Sequence, residues 1–123
     1  MPTFKRLEDI QAWQKARLIT RMIYQLTENG MFAKDFGLRN QIQRASVSIM
    51  ANIAEGFGRR SDKEFANFLN MAHGSVSETQ SHLYVALDLA YIDRSSFTEL
   101  NELLEEVSRM TLALAQHLRG SQL

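Results

Sequence analysis

The segment from Leu38 to Phe57 carries apolar residues on two opposed sides, and few folds satisfy a helix of that kind. At about 100° per residue, Leu38, Ile42, Ala45, Ile49, Ile53 and Gly56 fall within about 60° of the Leu38 direction and make one apolar stripe. A second stripe, Val47, Met50, Ala51, Ala54 and Phe57, lies opposite. One suits the core of the subunit itself; the other is the candidate oligomer interface. Between them run Gln41, Arg44, Ser48, Asn52 and Glu55, at the spacings of three and four that let helical side chains meet. Arg44, Ser48, Asn52 and Glu55 read as a structural polar stripe, pairing across helices or subunits, with a ligand site as the alternative.

The rest of the chain supplies helices for this one to pack on. Residues 1–7 read as an extended arm, and the first helix is expected over about residues 8–29. Ala12, Ala16, Ile19, Ile23 and Leu26 recur there at spacings of 4, 3, 4 and 3, the seam of near-parallel helix packing. Trp13 sits beside that seam, as a core residue or as a platform for a base. Gly30 supplies the stop, and Asp35 is the expected N-cap of the second helix, about 35–57. Gly56 and Gly58 end it. Ser61, three residues before Glu64, opens a third helix over about 62–92 as a capping box. An interior glycine costs a helix about 1 kcal/mol relative to alanine, so Gly74 and Ser75 are expected to mark a close helix approach, facing Ser48 and Ala51, with a kink as the rival reading. The fourth helix, about 96–119, follows a second capping box at Ser96 and Glu99, and Leu100, Leu103, Leu104, Val107, Met110, Leu114 and Leu118 make it strongly amphipathic. Its Glu99, Glu102, Glu105 and Glu106 complement the helix dipole and need no catalytic role. Short connections make sequential helices antiparallel neighbours. The expectation is an all-α, antiparallel up-and-down four-helix bundle, with residues 1–123 as a single domain.

The formal charge is zero, but it is divided: residues 1–63 hold 11 Lys or Arg against 6 Asp or Glu, and residues 64–123 hold 3 against 8. The halves can complement one another within the bundle or between subunits, or the basic half can meet a nucleic acid. Arg59, Arg60 and Lys63 cluster beside a helix N-terminus, where anions are favoured; a solvated loop or an ion pair with a neighbouring subunit is the alternative. With Arg39, Arg17 and Arg21 they are the candidate nucleic-acid contacts, and Lys5 and Arg6 are lesser ones. His73, His82 and His117 do not converge, and no nucleophile, base and orienting group can be assembled. No catalytic residue, metal or cofactor is expected, and the chain reads as a non-enzyme. It has no cysteine, no apolar run of membrane-spanning length and no signal-peptide core. A cytoplasmic protein off the membrane is the expectation.

The run Arg44 through Glu55-Gly56-Phe57-Gly58-Arg59, then Ser61-Asp62-Lys63-Glu64-Phe65, Phe68-Leu69 and Ala72-His73-Gly74-Ser75 with Glu78, resembles the four-helix-bundle proteins encoded in intervening sequences of bacterial 23S ribosomal RNA genes. Trp13-Gln14-Lys15-Ala16 in the first helix fits the same pattern. The accessory proteins of diversity-generating retroelements are similar, and the resemblance implies a five-membered ring, hence a homopentamer. Two functions follow as expectations. One is a nucleic-acid-binding module that grips RNA or DNA by its backbone; the alternative is a scaffold whose ring binds a protein partner and whose charge split serves assembly.

Overall fold

The computed structural model describes residues 4–120, so the first three residues of the expected arm lie outside it. Helices α1 (Gln11–Leu26), α3 (Phe36–Phe57), α4 (Asp62–Asp88) and α5 (Arg94–Gly120) are long, and α2 (Gly30–Lys34) is a single short turn of helix between α1 and α3. The long helices pack as a bundle in which α3 lies between α1 and α4, and α5 closes the circle between α4 and α1. Ile19, Ile23, Ile42, Ile49, Ile53, Leu69, Leu83, Leu100 and Leu104 meet at its centre with almost no exposure. The inner stripe of α3 therefore forms the core seam. Buried hydroxyls accompany it: Thr27, Thr79 and Thr111 each donate to the carbonyl one turn earlier, on Ile23, Ser75 and Val107. Among the described residues no buried side-chain polar atom lacks a partner, which is what a low-dielectric interior requires.

Helices α3 and α4 approach tightly at Gly56. A Cβ there would stand 2.7 Å from Phe68 Cβ and 2.9 Å from Phe65 Cδ1, so only glycine lets the end of α3 lie on the start of α4. Gly74, expected to mark the close approach, instead faces open space, with nothing within 4 Å of a built Cβ. It is one position round the helix from the seam. Its neighbour Ser75 is the residue turned inward, with its Oγ 2.9 Å from Ser48 Oγ. Asn52 adds to this link, its amide donating to Ser48 Oγ at 3.1 Å and to the Ser48 carbonyl at 2.9 Å.

The ends of the helices depart from expectation in four places, each for a local reason. Residues Leu7–Asp9 form a 3-10 turn, because Asp9 Oδ2 accepts the Lys5 and Arg6 amides, and the buried, extended Ile10 separates this turn from α1. After α1, Gly30 takes a left-handed φ of 61° and starts α2, which drops Phe32 into the core. Asp35 then works twice: Oδ1 accepts the Leu38 amide at 3.1 Å as the N-cap of α3, and Oδ2 accepts the Tyr91 hydroxyl at 2.9 Å. That bond raises the Tyr91 pKa by favouring the protonated phenol, and the Tyr91 ring lies 5.4 Å from that of Phe32.

Helix α4 stops at Asp88, short of the expected end near residue 92. Ala90 adopts φ 58°, the Tyr91 amide bonds back to the Ala86 carbonyl at 2.9 Å and the Ala90 amide to Leu87 at 3.0 Å, a Schellman ending built on alanine. Helix α5 is capped by Asp93 and not by Ser96, for Asp93 Oδ1 accepts the Ser96 amide at 2.7 Å. Amide donation from Ser96 holds the Asp93 carboxyl below its usual pKa. At the α3–α4 turn the expected cap is present, with Ser61 Oγ accepting the Glu64 amide at 3.1 Å.

Opposite outcomes are expected for one substitution at two glycines. Gly56→Ala should destabilise the subunit by about 1–3 kcal/mol through overpacking, whereas Gly74→Ala should stabilise it by up to about 1 kcal/mol through helix propensity; urea midpoints measure both. Ala90→Gly should relieve about 1–2 kcal/mol of left-handed strain against an entropic cost of about 0.5–1 kcal/mol, and so raise the midpoint slightly. A depressed Asp93 pKa contributes stability above the unfolded value of about 3.9 that is lost as pH falls through the folded value. The fall in melting temperature between neutral and acid pH should therefore be smaller in Asp93→Asn, which still caps but does not titrate.

Candidate nucleic-acid interface

Helix α1 contains no carboxylate, and its cations are Lys15, Arg17 and Arg21. Lys15 faces α5 and pairs with Glu106 at 2.9 Å. Arg17 and Arg21 are one turn apart on the exposed side, where with Gln14 and Leu18 they line a shallow depression of about 270 Å³. Arg17 lies over the Trp13 ring, its guanidinium carbon 5.8 Å from the ring centroid. Arg44, on α3, is also exposed.

At the α3–α4 turn the candidate residues do not act alike. Arg59 pairs with Glu55 at 2.8 Å and lies over the Phe68 ring at 4.8 Å, so both its charge and its face are engaged. Arg60 and Lys63 are exposed. Arg59 and Arg60 line a cleft of about 150 Å³ with Phe57, Ser61, Asp62 and Leu118. The Glu64 amide at the helix start is already taken by Ser61, and the carboxyl of Asp62 shares the cleft. An anion is less favoured here than the three neighbouring cations suggest.

Arg39 leaves the group of exposed candidates. It is half-buried, donates to the Ala33 carbonyl at 3.0 Å and lies over the Phe36 ring at 4.8 Å, fastening α2 to α3. Only the presence of α2, where a plain connection is expected, explains this.

The polar stripe of α3 divides in the same way. Ser48 and Asn52 are half-buried in the α3–α4 seam described above, while Arg44 and Glu55 face solvent, Glu55 holding Arg59. The second apolar stripe divides too. Met50 and Phe57 pack on the edge of the core; Val47 is 39% exposed, Ala51 is exposed and Ala54 is half-buried. The outward part is thus a strip of small side chains on α3.

The charge split survives folding. Among the described residues, Arg6, Lys15 and Arg59 are the Lys and Arg of the first half of the chain that pair with carboxylates, and only Lys15 does so across the halves. Among the described residues Arg17, Arg21, Arg44, Arg60 and Lys63 have no ion pair. On α5, which packs between α4 and α1, Glu99, Glu102 and Glu105 stay exposed. Exposed pairs are worth about 0–1 kcal/mol each, so little cohesion within the subunit is forgone.

The exposed side of α1 carries one further candidate that charge and motif do not mark. Tyr24, 39% exposed, lies seven residues beyond Arg17, two helical turns along the same side. That spacing was the available signal. Of the histidines, His82 approaches Glu78 at 3.4 Å, and no group of three metal-ligating side chains gathers among the described residues. No helix among them is long and apolar enough to cross a membrane.

Comparison with known proteins gives the chain a family. No curated protein matches it. Among solved structures, it is similar to a protein of unknown function from the S23 ribosomal protein family of Bacteroides thetaiotaomicron VPI-5482, with 27% identity and a TM-score of 0.78 over 85% of this chain and 97% of that one. Residues 8–113 match the family model described as 23S rRNA-intervening sequence protein. Spanning all of α1 through α4 and most of α5, that match makes the chain a member of the 23S rRNA-intervening sequence protein family.

Proposed function

We propose that the protein is a non-enzymatic, cytoplasmic homo-oligomer, a ring of five bundles, that holds RNA or DNA by its backbone without reading sequence. The observation that carries this is the set of cations left without ion pairs. Had the basic and acidic halves served only to bind one another within the subunit, α1 would be laced to its neighbour α5; among the described residues a single ion pair, Lys15 to Glu106, joins them. Arg17, Arg21, Arg44, Arg60 and Lys63 therefore keep their full charge toward solvent, and a polyanion is the partner that releases most counterions from such a surface.

Oligomerisation is supported by the outward strip of Val47, Ala51 and Ala54, apolar side chains on a helix that has already filled the core with its other face. Closed symmetry would repeat the basic surface once per subunit, so contacts weak in one copy add in the ring. The number five comes from the family resemblance.

In a filter-retention assay at about 50 mM salt, the protein should hold both RNA and duplex DNA, with log affinity falling linearly in log salt by about 0.7–0.9 per phosphate contacted. Replacing Arg17, Arg21 and Arg44 together by glutamine should flatten that slope. Light scattering should give a multiple of the subunit mass. Absence of retention at low salt would overturn the nucleic-acid reading, and if the ring still formed, scaffolding for a protein partner would take its place. A monomer at micromolar concentration would overturn the ring.

A further inference from the structure

Resting on the nucleic-acid reading, the geometry of α1 points to the form of nucleic acid bound: we infer that a ridge of Trp13, Arg17, Arg21 and Tyr24 takes unpaired strands, stacking bases on its aromatic rings and holding phosphates with its guanidinium groups. The four residues succeed one another at spacings of 4, 4 and 3. They form one continuous row along about 16 Å of helix.

Three observations converge on this ridge. No carboxylate lies on its own helix, and neither arginine has an ion pair among the described residues. Its aromatic groups flank its cations: Tyr24 stands 39% exposed at one end, and at the other Trp13 is half-buried with Arg17 already lying over its ring. Its floor is open, because Gln14, Arg17, Leu18 and Arg21 border a depression and not a packed seam. The other basic cluster lacks these properties. At the α3–α4 turn Arg59 is already paired with Glu55, Asp62 shares the cleft with Arg59 and Arg60, and Phe57 and Phe65 are engaged edge to face with each other, their centroids 6.3 Å apart.

A duplex hides the faces of its bases against one another, whereas a single strand presents them. A surface of charge alone would favour the denser phosphates of the duplex; one of charge beside an exposed ring, here Tyr24 with the partly covered Trp13, favours the strand. Trp13 is the one tryptophan of the chain, so its emission reports directly on this ridge.

The test titrates the full-length protein at low salt with labelled oligo(dU) and with a mixed-sequence duplex of equal length, reading label anisotropy and Trp13 emission together. Expected are tighter binding of the single strand, a change in Trp13 emission with that strand and not with the duplex, and a loss of at least about fivefold in single-strand affinity in Tyr24→Ala. Tyr24→Phe should bind as the parent does. Because Tyr24 lies outside the core, Tyr24→Ala should fold normally, and circular dichroism verifies it. Equal binding of both forms, with Trp13 emission unmoved and Tyr24→Ala unaffected, would overturn the ridge while leaving backbone binding intact. Binding of neither would remove both.

Discussion

Everything in this bundle hangs on how closely α3 and α4 approach. Gly56 brings the backbone of α3 against Phe65 and Phe68 at one end of the seam, and Ser48 and Ser75 join the helices by a 2.9 Å hydroxyl contact midway. Small residues at both points hold the helices near enough for Ile49, Ile53, Leu69 and Val76 to exclude water completely. With that pair set, α1 and α5 have one arrangement left to them, covering the open side of the isoleucine stripe. A tight contact of this sort makes the core a matter of shape as well as of hydrophobicity.

The same geometry accounts for what lies outside. Because the inner stripe of α3 is spent on the core, its remaining apolar side chains are small and face outward, and because α3 and α5 are not neighbours, the exposed cations of α3 lie away from the glutamates of α5. A subunit so arranged is electrically lopsided although its net charge is zero. Attraction then acts between molecules more than within one, whether the second molecule is another copy or a nucleic acid.

Much of this was legible in the sequence wherever a local rule decided it. Asp35 and Ser61 cap helices because a short acceptor stands before each apolar run. Where two local signals competed, the sequence was ambiguous. Asp93 and Ser96 are both good caps three residues apart, and the earlier start places Phe97 in the core against Tyr84, which tertiary packing alone decides. Ala90 in a left-handed turn runs against residue preference and is held there by the Tyr91 bonds to Asp35 and Ala86. The site suffered most from the unforeseen α2: without it Arg39 reads as a free cation, and with it Arg39 is a fastener. Gly74 misled for the opposite reason, since a glycine has no side chain to show which side of its helix it occupies.

Asp35 binds an amide of its own helix with one oxygen and the hydroxyl of Tyr91, 56 residues away, with the other. The two ends of the bundle are unequal as a result. Residues 58–61, exposed apart from one serine cap, form a plain connector into which extra chain could be spliced at little loss. At the far end two separate loops are moored to one carboxylate, so lengthening either would cast off the other, and variation in loop length among such chains should gather at the glycine turn.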